Sequence, residues 1–213
     1  MILGIDASNI RGGGGVTHLV ELMNASEPTV VGFEKVVVWG SRHTLGKLPS
    51  KGWLDRVYVG RLDRSLMSRI YWQSVELPKL AAENCNILFV PGGSFSRCST
   101  PIVTMSQNLL PFEGREISRY GLSWARARIM ILRVIQGRSF IKANGVIFLT
   151  EYAKAQVTSV IGSSVAQYAV IPHGISRRFY SDPRPQLRID EYSIEHPFRL
   201  LYVSIVDMYK HQW

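Results

Sequence analysis

Four consecutive glycines at positions 12–15 follow a short apolar run, Ile2-Leu3-Gly4-Ile5-Asp6, and precede a helical pattern over residues 16–23. Glycine has no Cβ, so such a loop can adopt positive φ and let a ligand approach the backbone closely. The first N–H groups of the following helix point back into the loop. Strand, glycine loop and helix N-terminus together make an anion or sugar site at the carboxyl end of a parallel sheet, with Gly13 and Gly14 as its contacts. No Lys-Ser or Lys-Thr follows the glycines, so the loop is not a P-loop. The G-x-G-x-x-G spacing is absent and no acidic residue closes the second strand, which argues against a dinucleotide fingerprint. The alternative is a flexible strand-to-helix turn, although four adjacent glycines carry an entropic cost that a plain connection does not need.

Three further small or polar loops fall at strand ends: Pro91-Gly92-Gly93-Ser94, Gln107-Asn108 and His173-Gly174. Gln107 and Asn108 each offer a donor and an acceptor to sugar hydroxyls, or they cap the turn that follows. A histidine in such a loop, His173, suits a general base or a ligand contact as well as a structural turn. Cys85 and Cys98 fit no metal-ligand spacing, so no metal site is expected, and they suit a reducing compartment.

The elements that must position these loops alternate. Apolar strands are expected at 2–6, 35–40, 57–60, 86–90, 101–105, 145–149 and 169–171. Helical spacing covers 15–25, 66–84 with a kink or break at Pro78, 114–143 as one long helix, and 151–160 with Thr150 as N-cap. The strands are continuously rather than alternately apolar, the mark of a parallel sheet covered on both faces. An α/β, doubly wound, Rossmann-like sheet over 1–175 is therefore predicted. Residues 176–197, with three prolines and no period, read as a linker, and Phe198 to Val203 as a fresh strand opening a further domain over 198–213.

The 213 residues are 46% hydrophobic and 19% charged, an ordinary globular balance that excludes wholesale disorder. No apolar run reaches about 18 residues, so no transmembrane helix is expected, and nothing at the start reads as a signal peptide. A cytoplasmic location is the default. The net charge of +9 is concentrated: residues 115–142 carry seven Lys and Arg against one Glu. Arg119, Arg126 and Arg133 are interleaved there with Tyr120, Trp124 and aliphatics. Such a basic amphipathic helix suits an anionic membrane surface, or is simply a solvated helix. Nucleic acid ranks lower, since no DNA- or RNA-binding module surrounds it.

Together, the glycine loop, Ala143-Asn144-Gly145-Val146-Ile147-Phe148-Leu149-Thr150-Glu151-Tyr152, and Val170-Ile171-Pro172-His173-Gly174-Ile175 resemble the N-terminal domain of a GT-B glycosyltransferase of family 4. The last stretch is similar to the family's V-I-P-N-G-V at the domain junction, and 202–211 looks like its F-V-G-R-L-x-x-x-K-G. The resemblance implies the N-terminal half of a GT-B fold and hexosyl transfer from a nucleotide-sugar to a saccharide or lipid-linked acceptor. It further implies retention at the anomeric centre, a place in polysaccharide or lipopolysaccharide synthesis at the inner membrane face, and no cofactor beyond the nucleotide-sugar co-substrate. Gly13, Gly14, Gln107, Asn108 and His173 would line the acceptor side, and Lys210 would contact the donor diphosphate. Two departures matter: Ile205 replaces the usual arginine, and Gln107-Asn108 replaces His-Asp, so no catalytic base is assigned. The donor-side domain with its paired glutamates is missing, so the chain is expected to be a truncated acceptor half with little or no activity alone. The rival expectation is a non-catalytic α/β binding module.

Overall fold

The computed structural model describes residues 1–95, 98–162, 165 and 167–212. Seven strands form one sheet, every pair parallel: β1 (Ile2–Asp6), β2 (Lys35–Gly40), β3 (Leu54–Tyr58), β4 (Ile87–Val90), β5 (Ile102–Ser106), β6 (Gly145–Phe148) and β7 (Tyr168–Val170), in the order β3-β2-β1-β4-β5-β6-β7. The order reverses between β1 and β4, which opens a crevice at their carboxyl ends where such sheets hold ligands. This is the doubly wound, Rossmann-like architecture expected.

Both faces are covered, because successive side chains of a strand point to opposite sides. Leu3 and Ile5 of β1 and Val36 and Val38 of β2 meet Val16, Leu19 and Met23 of α1 (Gly13–Ala25). Val37 and Trp39 of β2 face the other way, onto a layer built from α3 (Leu66–Tyr71), a π-helical turn (Trp72–Glu76) and α4 (Leu77–Asn84). The short α2 (Arg42–Leu45) follows β2 in the chain, before β3. A third cluster joins Phe140, Val146, Phe148 and Val157 under the last two helices, with Phe140 between Phe112 and Phe148 at ring distances of 5.7 and 6.5 Å.

Several boundaries differ from expectation, each for a physical reason. Pro78 does not break its helix. A proline removes one N–H and crowds the carbonyl four residues back; here the preceding turn widens, and the Leu77 N–H bonds to the Trp72 carbonyl five residues earlier. The third strand begins at Leu54, which is buried, and not at Val57, which is exposed on the sheet edge. The segment 114–143 is two helices, α5 (Gly114–Ser118) and α6 (Trp124–Lys142). Gly121, at φ +54°, turns the chain between them, and the Ser123 hydroxyl caps α6 by accepting the Arg126 N–H at 3.2 Å. Thr150 caps α7 (Glu151–Ile161) as expected, accepting the Ala153 N–H at 3.0 Å.

Phe198 to Val203 is not a strand. A strand needs a neighbour for its backbone donors and acceptors, and this run pairs with none: Val203 remains 83% exposed. Instead the chain docks at its far end, through a short 3-10 turn (Met208–Lys210), onto α5. The Tyr120 hydroxyl donates to Asp207 at 2.7 Å, and His211 lies 3.2 Å from Glu116.

Candidate functional site

The carboxyl ends of β1, β4 and β5 carry a connected polar cluster. Asp6 closes β1 and is 2% exposed. Its Oδ1 accepts the Ser8 N–H at 2.8 Å and its Oδ2 accepts the Gln73 Nε2–H at 2.7 Å. The same amide donates to the Ser94 carbonyl at 2.9 Å, so Gln73 ties the π-helical turn to the ends of both β1 and β4. Burial pushes the Asp6 carboxyl above its ordinary value, against the pull of these hydrogen bonds. The small-residue loop after β4 is packed tightly here. A Cβ on Gly92 would stand 3.2 Å from Asn9, and one on Gly93, at φ +72°, would stand 3.1 Å from the Gln136 amide and 3.2 Å from the Met105 carbonyl.

The glycine loop, which follows β1, is open. Around Gly12, Gly13 and Gly14 an added Cβ would meet nothing within 4 Å, while one on Gly15 would stand 3.7 Å from the Gln107 side-chain amide oxygen. Gly13 takes φ +60°, a conformation that disfavours side chains. The loop's glycines serve two purposes: one fits a left-handed turn, and its neighbours leave room above the N-terminus of α1.

Beside the loop stands an imidazole pair. His18 of α1 and His173 have ring centroids 4.6 Å apart, and the Gln107 amide nitrogen lies 3.3 Å from His18 Nδ1. Where Gln107 donates, Nδ1 is the acceptor and the His18 proton sits on Nε2. Burial, then the nearby His173, lowers the pKa of His18, which keeps it neutral near neutral pH. A neutral ring of this kind can exchange hydrogen bonds with a ligand hydroxyl. On the other flank are two cations, Arg11 and Arg69. The guanidinium of Arg69 is disfavoured by burial and by Arg11, and neither forms an ion pair among the described residues. Two such cations next to a helix N-terminus favour an anionic ligand.

The sequence-derived candidates thus separate. Gly13, Gly14, Gln107 and His173 converge on one edge. Asn108 stands next to Gln107, but its Oδ1 accepts the Leu110 N–H at 3.2 Å, the local capping role. Lys210 belongs to the segment docked on α5, its ammonium over the Tyr209 ring at 4.8 Å. Arg119 is held by Glu116 at 3.1 Å, and Arg126 reaches the Gly121 carbonyl at 3.4 Å. Asp6, His18, Gln73, Arg11 and Arg69 were missed. Asp6 was detectable as the one charged residue ending an apolar strand before a glycine loop. Gln73 had no such signal, because its partners lie 67 and 21 residues away. Among the described residues no group of three or more His, Cys, Asp or Glu could hold a metal ion, and no helix is long and apolar enough to cross a membrane.

No protein-family model matches the chain, and no curated protein matches it significantly.

Proposed function

We propose that this sheet is the acceptor-side wall of a glycosyltransferase site of the GT-B kind. The reaction would be retaining hexosyl transfer from a nucleotide-sugar to a saccharide or lipid-linked acceptor in cytoplasmic polysaccharide synthesis. One observation carries the reading. An open glycine loop at a helix N-terminus is flanked by two arginines that form no ion pair among the described residues and by a neutral imidazole with a primary amide. Arg11 and Arg69 suit the phosphate of a lipid-linked saccharide. His18, Gln107 and His173 suit its hydroxyls, which need donors and acceptors together. In the transfer, the acceptor oxygen forms its bond to the anomeric carbon as the bond from that carbon to the leaving diphosphate breaks, and the hydroxyl proton passes to the departing diphosphate oxygen. A cation such as Lys210 would offset charge on that diphosphate.

Calorimetric titration tests the proposal, using a short-chain prenyl diphosphate-linked monosaccharide, the same sugar without phosphate, and a nucleotide-sugar. The phosphorylated saccharide should bind best, and Arg69→Gln should weaken it about tenfold or more, the effect of losing a charge-assisted hydrogen bond. Saccharide binding untouched by Arg69→Gln would overturn the assignment. Binding of inorganic phosphate with indifference to the sugar would favour a non-catalytic anion module.

A further inference from the structure

Helix α6 is amphipathic in an unusual sense: its apolar residues face outward. At 100° per residue, the side packed on the domain is formed by Gln136, Gly137, Ser139 and Phe140, all buried. The opposite side carries Trp124, Met130, Ile131, Val134, Ile135 and Ile141, every one exposed, with Trp124 at 80%. Leu122, just before the helix, is fully exposed and lines a shallow apolar depression with Trp124, Ala127 and Met130. On the same outward side stand Arg128, Arg138 and Lys142, and the helix contains no acidic residue. Arg126 and Arg133 lie on the flank nearer the domain and are half-buried, so they are not the outward cations.

We propose that the outward face of α6, with Leu122 and Trp124 at its leading end, docks on an anionic lipid bilayer. Apolar side chains interleaved with cations on one face match the boundary between acyl chains and headgroups: the aliphatics and the indole enter the boundary. The long arginine and lysine stems lie along it, with their charges among lipid phosphates. An apolar protein partner would not call for three cations within the contact, and an aqueous environment would not call for six exposed apolar side chains there. The negative surface potential of an anionic leaflet supplies the complement to a helix that is uniformly basic. The proposal does not depend on the transferase reading, because α6 faces solvent on the sheet's helical layer and the glycine loop lies at the strand ends.

The test is co-sedimentation of the full chain with vesicles of phosphatidylcholine alone or mixed with phosphatidylglycerol, together with tryptophan emission. The chain should sediment with the anionic vesicles only. Removing two outward cations in Arg128→Gln/Arg138→Gln should weaken this by about twentyfold to thirtyfold, from about fivefold per cation. Emission should shift to the blue on binding, and most of the shift should be lost in Trp124→Phe, since Trp124 is exposed whereas Trp39 and Trp72 are already buried and Trp53 is half-buried. Leu122→Ser/Trp124→Ser should abolish binding; the melting curve of the same variant checks that the fold is intact. Equal partition to both vesicle types, no sedimentation with either, or a lipid-free dimer that these substitutions dissociate would each overturn the proposal, the last in favour of a second copy of the chain.

Discussion

Replacing Gln73 with leucine tests whether the floor of the site is built as described. The substitution removes one amide that donates to Asp6 Oδ2 at 2.7 Å and to the Ser94 carbonyl at 2.9 Å. A hydrogen bond to an ionised partner contributes about 1.5–3 kcal/mol and a neutral one about 1 kcal/mol, so the variant should lose about 3 kcal/mol where Asp6 is ionised. For a chain of this size that is a fall in Tm of about 6–12 °C. The loss should depend on pH. Burial already holds the Asp6 carboxyl above its reference value of 3.8, so the folded state keeps its proton longer than the unfolded state. Stability therefore declines as pH rises through and above that reference. Without Gln73 the carboxylate loses a donor, its pKa rises further, and the decline extends to higher pH. The gap between the two proteins should thus be smallest at acid pH, where the carboxyl is protonated in both states, and widen as pH rises through the range in which Asp6 ionises. Urea denaturation across that range measures it, with Asp6→Asn as the second arm of a double-mutant cycle. A gap of equal size at both ends, or additive effects of the two substitutions, would refute the reasoning, since both require an ionised Asp6 bonded to Gln73.

Other consequences are local. Gly14→Ala should leave stability unchanged or raise it by up to about 1 kcal/mol, because the site is open and alanine favours a helical turn; a bulky Gly14→Val should impair ligand binding. Gly93→Ala should cost about 2 kcal/mol or more in urea denaturation, since positive φ and the close Met105 carbonyl both oppose a Cβ. His18 titrates below its reference value of 6.5 in the folded state. Folding stability should therefore fall as pH drops below about 6.5, and His18→Gln should flatten that limb of a Tm-against-pH curve; an unchanged limb would contradict a half-buried neutral His18. Phe140→Ala should lose about 3–5 kcal/mol by opening a cavity between Phe112 and Phe148.

Much of the sheet was legible because buried parallel strands are apolar on both faces: β1 and β2 fall where the apolar runs do, and Thr150 caps where a threonine before a periodic segment should. Legibility failed where tertiary context decides. Residues 114–143 carry helical spacing throughout, yet Gly121 ends one helix, and polar Gln136 and Ser139 face inward while Ile131 and Val134 face out. Phe198 to Val203 has strand composition but no neighbour to pair with. Gly13, Gln107 and His173 were visible as small or polar residues at strand ends. Gln73 and Arg69 were not, because nothing in a helical stretch says which of its polar residues will reach a strand end far away in sequence.

The most direct test of the central claim is to follow the backbone amides of the isotopically labelled chain while titrating the prenyl diphosphate-linked saccharide. Shifts should concentrate at residues 11–18, around Gln107 and around His173, and should weaken with Arg69→Gln. Shifts confined to α6 or to the segment docked on α5, with the glycine loop silent, would contradict it.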